Sequence, residues 1–432
     1  MESAKQSSEA TVSGILTTFG SMVGLAFGPS VIAVLAISPF IPPIQEDLGW
    51  SRYQVSLAVT IVSYMIVLVS PLQGVLVDRF GPRRVILTSI PLFAVGIGAF
   101  YFQPANLTVF YVLWGLVPVL AVGLWPLGFL QSVTRWFDRR LGLALGCANA
   151  GIGVGTTIVP LIVTALIAAF DWRTAFLGLA LIILFVSWPT VFFCLKEPLE
   201  TAESAKQHAE KKAFGVPFQA AVREPSFLIL TAAFFMLGMT ATSLVTQQVP
   251  LLRDAGWEQA NAAYVASLFG FALLFARVLV GFVIDHIFAP LVMLTVSIGG
   301  AVACLLYALF PDAAIVSAIL LGLLLGAEFD VLAFLIKRYY GNVAYGRLYG
   351  VIFGMFYLGS GLGIAGLAKS YELSGNNYDP GLYIAAGVLA TSALLLSFLP
   401  RYRFAVGAER AAVPQGQPQP VGSRRWPTTP RF

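Results

Sequence analysis

Charge is scarce in this chain of 432 residues: only 11% of them are Asp, Glu, Lys or Arg, whereas 58% are hydrophobic. A mean hydropathy of +0.83 agrees with this balance and excludes a water-soluble globular protein. Apolar stretches of about 18 residues or more recur along the chain. They predict membrane-spanning α-helices rather than β-barrel strands, which alternate over roughly ten residues.

Side chains that carry covalent or metal chemistry are also scarce. The two histidines, His208 and His286, fall in polar connections, and the three cysteines, Cys147, Cys194 and Cys304, have no metal-ligand spacing. No Gly-x-x-x-x-Gly-Lys-Ser/Thr motif occurs, which excludes a nucleotide site of that type. We therefore expect no metal site, no cofactor and no enzymatic activity. The net charge of +5 is spread over short loops and a tail, which does not indicate a nucleic-acid partner.

Twelve apolar stretches, bounded by charged or turn residues, predict an all-α membrane protein of twelve spans. They lie near 14–42, 54–77, 85–102, 107–134, 141–170 and 174–195, then 226–251, 260–284, 289–310, 313–336, 346–370 and 380–400. The prediction divides the chain into an N-terminus (1–13), a six-helix half (14–195), a polar linker (196–225), a second six-helix half (226–400) and a disordered tail (401–432).

Basic residues predict the orientation, because cytoplasmic loops carry an excess of Lys and Arg. One side holds both termini, the linker and the loops with Lys5, Arg79, Arg83, Arg84, Arg135, Arg139, Arg140, Lys337, Arg338 and Arg347. The other side holds only Arg52, Arg173, Arg253 and Lys369. The sequence therefore predicts a multi-pass protein of the plasma (inner) membrane with both termini in the cytoplasm.

The two halves are copies of one unit. Asp47-x-Gly49-Trp50 recurs as Asp254-x-Gly256-Trp257, and Gly74-x-x-x-Asp78 recurs as Gly281-x-x-x-Asp285, all offset by 207 residues. Glycine rows in the fifth and eleventh predicted spans match at an offset of 208, which predicts about five extra loop residues before the eleventh span. A six-span unit used twice in the same orientation is typical of parallel-repeat transporters.

The stretch Gly74-Val-Leu-Val-Asp78-Arg79-Phe80-Gly81-Pro82-Arg83-Arg84 joins the second and third predicted spans. It resembles the signature loop of the major facilitator superfamily of secondary transporters, which implies two pseudo-symmetric six-helix halves that expose a substrate site alternately to either side. Three further stretches, Asp47-Leu-Gly49-Trp50-Ser51-Arg52, Arg135-Trp136-Phe137-x-Arg139-Arg140-x-Gly142 and Asp171-Trp172-Arg173, resemble the branch of monocarboxylate transporters and oxalate–formate exchangers.

The signature loop and its decayed second copy are the expected gate. The candidate gating residues are Gly74, Asp78, Arg79, Gly81, Arg83, Arg84, Gly281, Asp285, Arg135 and Arg338. We expect Asp78 to meet the positive end of a neighbouring helix, to hold Arg79, and to close the cytoplasmic side. Because the second copy has lost Gly81 and both arginines, the first copy should hold more strongly. The alternative is a loop that only sets topology.

Ionisable residues inside the bilayer indicate the substrate site, because each is costly to insert. Arg277 lies about 12 Å from the cytoplasmic boundary by helical rise, and Glu328 and Asp330 lie about 15 and 12 Å deep. No charged residue of the first half reaches that depth, where the repeat places Trp125 opposite Glu328. Being two residues apart, the two acids point about 200° away from each other. We expect Glu328 to face the cavity and Asp330 to pair within the second half.

Resemblance to the monocarboxylate branch implies that Arg277 contacts a substrate carboxylate, although the aspartate expected one turn earlier is Leu273 and the first-span lysine is missing. A structural ion pair with Asp330 or Glu328 is the alternative. The sequence thus predicts a monomeric carrier in the lipid bilayer for a small mono- or dicarboxylate, with proton symport or anion exchange. Efflux of an apolar or cationic compound and a non-transporting membrane sensor remain alternatives.

Overall fold

The computed structural model describes residues 11–35, 37–197, 215–375 and 377–404, most of which lie in helices. Eleven of these helical stretches are long and apolar enough to cross a membrane. A twelfth crossing is made by two shorter helices in tandem, so the predicted all-α fold of twelve spans is confirmed. The expectations for residues 1–10, most of the linker (198–214) and most of the tail (405–432) lie outside the described residues.

The spans run in chain order with short connections, six to each half. The first half consists of Val12–Ala26 with Ser30–Leu35 (span 1), Arg52–Phe80 (span 2), Pro82–Gly98 with Ala99–Phe102 (span 3), Leu107–Leu120 with Pro126–Thr134 (span 4), Leu141–Ala169 (span 5) and Trp172–Ile182 continued to Trp188–Cys194 (span 6). The second half consists of Pro225–Asp254, Gln259–Ile284, Ala289–Leu309, Ala314–Tyr340, Tyr345–Leu373 and Asp379–Ser397 (spans 7 to 12). Short helices at Ile41–Leu48 and Phe218–Ala221 lie in the connections.

Spans 1 and 4 are broken where the sequence predicted continuous helices. The α-helix of span 1 ends at Ala26, and the chain turns through Gly28 and Pro29 before the helix resumes. Span 4 is interrupted between Leu120 and Pro126, and Pro126 begins the second helix. Proline has no backbone N–H to donate and its fixed φ suits the first position of a helix, so each break is set locally. Spans 7 and 10, their counterparts, are continuous.

The structure confirms the internal repeat and corrects its register in the second part of each half. Gly49 (φ 68°) and Gly256 (φ 88°) both adopt a left-handed turn after spans 1 and 7, in agreement with the 207-residue offset. The helices Leu141–Ala169 and Tyr345–Leu373, however, are offset by 204 residues, so the proposed glycine match at 208 is wrong by one turn. The error arose because many of these glycines are about one helical turn apart, so that shifting one row by a turn still aligns most glycines with glycines.

Two of the stretches that resemble the monocarboxylate branch meet at the end of the first half opposite the Asp78 loop. The carboxylate of Asp47 accepts hydrogen bonds from the indole Nε1 of Trp172, at 3.1 Å, and from the guanidinium of Arg173. The hydrogen bond from Arg173 is the main reason that the pKa of Asp47 is lowered. This contact fastens the start of span 6 to the chain that leads from span 1 to span 2.

The first residues of the predicted disordered tail are ordered. The phenol oxygen of Tyr402 accepts a hydrogen bond of 2.7 Å from the backbone N–H of Ala289, and Phe404 N–H donates to the carbonyl of Arg338. The Tyr402 ring packs against Phe288 and Tyr339. The boundary at 401 is therefore wrong by at least four residues, because an aromatic residue there finds an apolar cleft between helix ends.

Candidate functional site

Asp78 ties the two halves together at the predicted gate. Its carboxylate accepts hydrogen bonds from the backbone N–H groups of Gly346 and Arg347, at 2.9 and 3.1 Å, in the first turn of span 11. The Arg347 guanidinium adds an ion pair at 3.2 Å. These N–H groups have no partner within their own helix, and a helix N-terminus attracts negative charge. Asp78 therefore meets a helix end as expected, but it holds Arg347 rather than Arg79, whose exposed guanidinium lies over Phe80.

Asp285 repeats this contact between spans 8 and 5 with fewer bonds. It accepts hydrogen bonds from the backbone N–H groups of Gly142 (2.6 Å) and Leu143 (2.9 Å) at the start of span 5. Burial raises the pKa of Asp285, and these two hydrogen bonds oppose that rise. Leu143 occupies the place that Arg347 has in the other copy, so Asp285 has no guanidinium there. The first copy thus makes one contact more, in the direction that the sequence predicted.

Glycines allow the helices at both gates to touch through their backbones. A Cβ on Gly74 would overlap the carbonyl oxygen of Gly346, and one on Gly281 would overlap that of Gly142. Small residues at such positions permit close helix packing in membranes. The sequence placed Gly74 and Gly281 correctly, and the structure shows that each faces a glycine of the opposite half.

Arg338 and Lys337, at the end of span 10, cross to the first half. The Arg338 guanidinium forms an ion pair of 2.8 Å with Asp138. The Lys337 ammonium donates to the carbonyls of Thr134 and Phe137, at 2.7 and 3.0 Å, where span 4 ends. A cation at a helix C-terminus satisfies carbonyls that lack a partner in the helix. From the sequence we expect Lys337 to be a cytoplasmic charge on nearly the same helical face as Asp330; its contact with the end of span 4 was missed.

The other predicted gating residues lie within or beside the first half. Arg83 donates to the carbonyls of Leu195 and Phe192, at 2.7 and 3.1 Å, and so caps the end of span 6. Arg135 forms an ion pair of 3.6 Å with Glu197. Gly81 makes the turn between spans 2 and 3 with φ at 81°, a conformation that favours glycine, and Arg84 is exposed. The predicted gating residues thus divide into those that cross between the halves and those that brace the first half.

Arg277, Glu328 and Asp330 are brought together as the sequence predicted. All three are almost fully buried, with 3%, 3% and 0% exposure. Arg277 lies close enough to both carboxylates to interact with them electrostatically. Among the described residues, however, no carboxylate forms an ion pair with Arg277, and its Nε and Nη1 atoms have no hydrogen-bond partner. The geometry therefore leaves guanidinium donors available inside the protein.

Glu328 and Asp330 point in different directions, as their helical spacing requires, but Asp330 does not pair within the second half as expected. Asp330 accepts a hydrogen bond from the amide Nδ2 of Asn149 in span 5, so it contacts the first half instead of remaining within the second. Glu328 lies close to Arg277 and to Tyr357 of span 11, and Tyr349 of that span lies close to both acids. Asp330 thus lies at the seam between the halves.

Several members of this cluster were missed by sequence reasoning. Tyr349 and Tyr357 lie near the acids, and the Tyr349 hydroxyl is buried without a partner. Asn149 is the polar residue in the apolar run around Cys147. A polar side chain inside an apolar run could have marked Asn149 as a site residue. Tyr349 and Tyr357 could not be distinguished from the other aromatic residues of span 11.

Trp125 lies at the break of span 4 and is fully buried. Its carbonyl accepts a hydrogen bond of 3.1 Å from the amide Nε2 of Gln73 in span 2. The helix that follows, Pro126–Thr134, packs against spans 10 and 11 of the opposite half. The predicted aromatic position of the first half is therefore close to the helices that carry the acids, and Gln73 is a neighbour that the sequence did not single out.

A groove of about 520 Å³ lies elsewhere, on the outer surface between spans 5 and 8. It is lined by Leu143 and by the apolar side chains of span 8 from Phe271 to Phe282, several of which are more than half exposed. A lining without polar groups does not suit recognition of a charged solute. We therefore locate the candidate site at Arg277 and not in this groove.

Comparison with known proteins identifies the family. Residues 23–364 match the family model described as Major Facilitator Superfamily. The chain belongs to the Major Facilitator Superfamily. Over 91% of its length it also superposes on 100% of the E. coli fucose:proton symporter with a TM-score of 0.65 at 16% identity, which supports the fold.

Curated members of the superfamily that resemble the chain differ in what they carry. It is 28% identical to bovine monocarboxylate transporter 13 over 55% of the chain and 54% of the relative. It is 27% identical to the oxalate:formate antiporter of Oxalobacter formigenes over 50% of both chains, and 24% identical to the multidrug efflux pump PmrA of Streptococcus pneumoniae over 55% of the chain and 58% of the pump. The matches thus span about half the length of these relatives. The resemblance to the monocarboxylate and oxalate–formate branch is confirmed, and these relatives, like the solved structure above, are membrane transporters rather than enzymes.

Neutralising Asp78 should weaken the closed gate more than neutralising Asp285. Asp78→Asn loses the ion pair with Arg347 and one backbone hydrogen bond, whereas Asp285→Asn loses backbone contacts alone. We expect both variants to insert in the membrane and bind substrate, with exchange in proteoliposomes slowed about tenfold or more in Asp78→Asn and less in Asp285→Asn. Spin-label distances across spans 2 and 11 should lengthen in the first variant. Wild-type exchange rates and distances in both variants would mean that the loop only sets topology.

Proposed function

We propose that this transporter carries a small organic anion, a carboxylate, and that Arg277 binds its anionic end. The observation that carries the proposal is the buried guanidinium with Nε and Nη1 unpartnered. A buried polar group without a hydrogen bond is costly, so such donors favour an anionic ligand that completes them. A guanidinium also presents parallel N–H groups that match a carboxylate.

We infer that the substrate moves by alternating access between the two halves. The contacts of Asp78, Asp285, Lys337 and Arg338 hold the halves together on one side, and the positive-inside rule assigns that side to the cytoplasm. On this assignment the described conformation is closed to the cytoplasm. The protein would then be a monomeric carrier of the plasma (inner) membrane with both termini inside.

The relatives support a carboxylate substrate, since two of them are named for monocarboxylate and for oxalate and formate. Efflux of a cationic or apolar compound is the second candidate. The candidate site holds two buried acids and one buried base, a balance that favours this second candidate, and a relative named as a multidrug efflux pump agrees with it. Asp330 already accepts a hydrogen bond from Asn149. The groups left to meet a ligand are therefore Glu328 and Arg277, whose charges are opposite.

Arg277→Lys tests the proposed anion site. Lysine keeps the charge but lacks the planar fork, so we expect at least a tenfold loss of affinity for carboxylates with normal amounts of inserted protein. Counterflow of radiolabelled mono- and dicarboxylates in proteoliposomes measures this loss. The exposed Arg84→Lys is the matched control and should behave as wild type.

Two outcomes would contradict the proposal. If Arg277→Lys retains full affinity while Arg277→Ala fails to fold, Arg277 is structural. If wild-type protein exchanges none of the carboxylates but exports a cationic dye against its gradient, the efflux function replaces the proposed one.

Coupling to protons is the second question, for which we propose Glu328 as the proton carrier. A buried carboxylate takes up a proton when a neighbouring guanidinium is drawn to another anion, and Glu328 interacts with Arg277 without a direct ion pair. We expect Glu328→Gln to abolish accumulation driven by an inward proton gradient while sparing substrate exchange. Asp330→Asn is the matched comparison, since Asp330 bonds Asn149 and should affect exchange as well.

The proton hypothesis is decided first on the wild type. Liposomes without internal substrate are given an imposed pH gradient, and accumulation of labelled carboxylate is measured. A flat response would identify an obligate anion exchanger and end the proposed role of Glu328.

A further inference from the structure

Three buried polar atoms without partners lie near the place where the broken spans 1 and 4 meet. They are the hydroxyl Oγ of Ser30, the amide Oε1 of Gln73 and the indole Nε1 of Trp125. Gln73 and Trp125 are fully buried, and Ser30 is 8% exposed. Buried polar side-chain atoms usually have a hydrogen-bond partner, so a group of three without one requires an explanation.

The backbone brings these three residues into one neighbourhood. A Cβ placed on Gly28, two residues before Ser30, would be 3.6 Å from the carbonyl oxygen of Leu124, which precedes Trp125. Gln73 reaches the same point from span 2, because its Nε2 donates to the Trp125 carbonyl at 3.1 Å. Broken helices beside a central cavity are a common way for transporters to build a binding site.

The contacts define the hydrogen-bonding character of the free atoms. Since the Gln73 amide nitrogen must face the Trp125 carbonyl, its oxygen Oε1 is the atom left free, and it is an acceptor. The Trp125 indole supplies a donor, and the Ser30 hydroxyl can act as either. A ligand group that satisfies all three must therefore both donate and accept.

The charge of the surroundings limits the ligand group further. The first half has no Asp, Glu, Lys or Arg at the depth of Trp125, so nothing there neutralises a charge on the ligand. A carboxylate would also be repelled by the lone pairs of Gln73 Oε1, and a carbonyl group has no hydrogen to donate to that oxygen. A hydroxyl group is neutral and can both donate and accept a hydrogen bond.

We propose that Ser30, Gln73 and Trp125 form a second subsite that recognises a hydroxyl group on the transported carboxylate. The inference rests on the proposed function, because Arg277 holds the anionic end. Span 5 relates the two subsites: Gly155 packs against Ala26 at the break, and Asn149, which bonds Asp330, lies six residues earlier. The contacts of span 5 with Ala26 and with Asp330 are thus about 9 Å apart along the helix axis. The separation of the two subsites themselves is measured by the length of the acid that competes best.

Competition in the counterflow assay tests the subsite. For a series of unbranched acids of increasing length, we expect the ω-hydroxy acid of one length to compete at least tenfold better than the alkyl acid and the dicarboxylate of that length. A site built to bond a hydroxyl rejects analogues that lack it, because its own polar groups then remain unpaired. Trp125→Phe removes the N–H and should lower the ratio of hydroxy-acid to alkyl-acid affinity several-fold.

Trp114→Phe is the matched control, since Trp114 is a fully buried tryptophan of the same span with an unpartnered Nε1 but lies eleven residues before Trp125. It should keep the wild-type preference. If hydroxy and alkyl acids compete equally in the wild type at every length, or if Trp125→Phe keeps the preference, the subsite holds no ligand and the inference is overturned. Failure of all carboxylates to compete would instead overturn the proposed function.

Discussion

Backbone contact between helices of opposite halves is the constraint on which the rest of the structure depends. Spans 2 and 11 meet at Gly74 and Gly346, and spans 5 and 8 meet at Gly142 and Gly281, where a side chain larger than hydrogen would overlap a carbonyl oxygen. That proximity lets a carboxylate at the end of one helix reach the N–H groups that begin the other. The contact between the halves is therefore one arrangement used twice, and the first copy has one bond more because Arg347 also forms an ion pair with Asp78.

Charge is divided between the halves in a way that suits a carrier. The second half contributes Arg277, Glu328 and Asp330, while the first contributes neutral polar groups, of which Asn149 meets Asp330 directly. A solute held between them contacts both halves, so its binding free energy can favour one arrangement of the halves over another. A ligand shifts such an equilibrium only through a difference in its interactions with the two states.

The sequence predicted the elements whose signals are local. Hydropathy placed the twelve spans, the repeat singled out Asp78 and Asp285, and the cost of burying charge singled out Arg277, Glu328 and Asp330, which the structure buries close together. It failed where the outcome depends on packing between distant segments. Nothing in the sequence near Asp78 distinguishes Arg347 from Arg79 as its partner, and the glycine rows fit two registers one turn apart. The direction of Asp330 likewise depends on where span 5 places Asn149, which the spacing of the two acids does not determine.

For the proposed hydroxyl subsite, the breaks in spans 1 and 4 are what would let the first half recognise a ligand without charge. An unbroken helix satisfies its own backbone, so only its side chains are available to a ligand, whereas a break brings side chains of different spans to one point. Gln73 demonstrates this, because one end of its amide holds the loosened backbone at Trp125 and the other end remains free. Spans 7 and 10 are continuous, and the ionised side chains of the proposed site lie on spans 8 and 10. The two halves share one fold but have reached complementary chemistry through a difference in helix continuity.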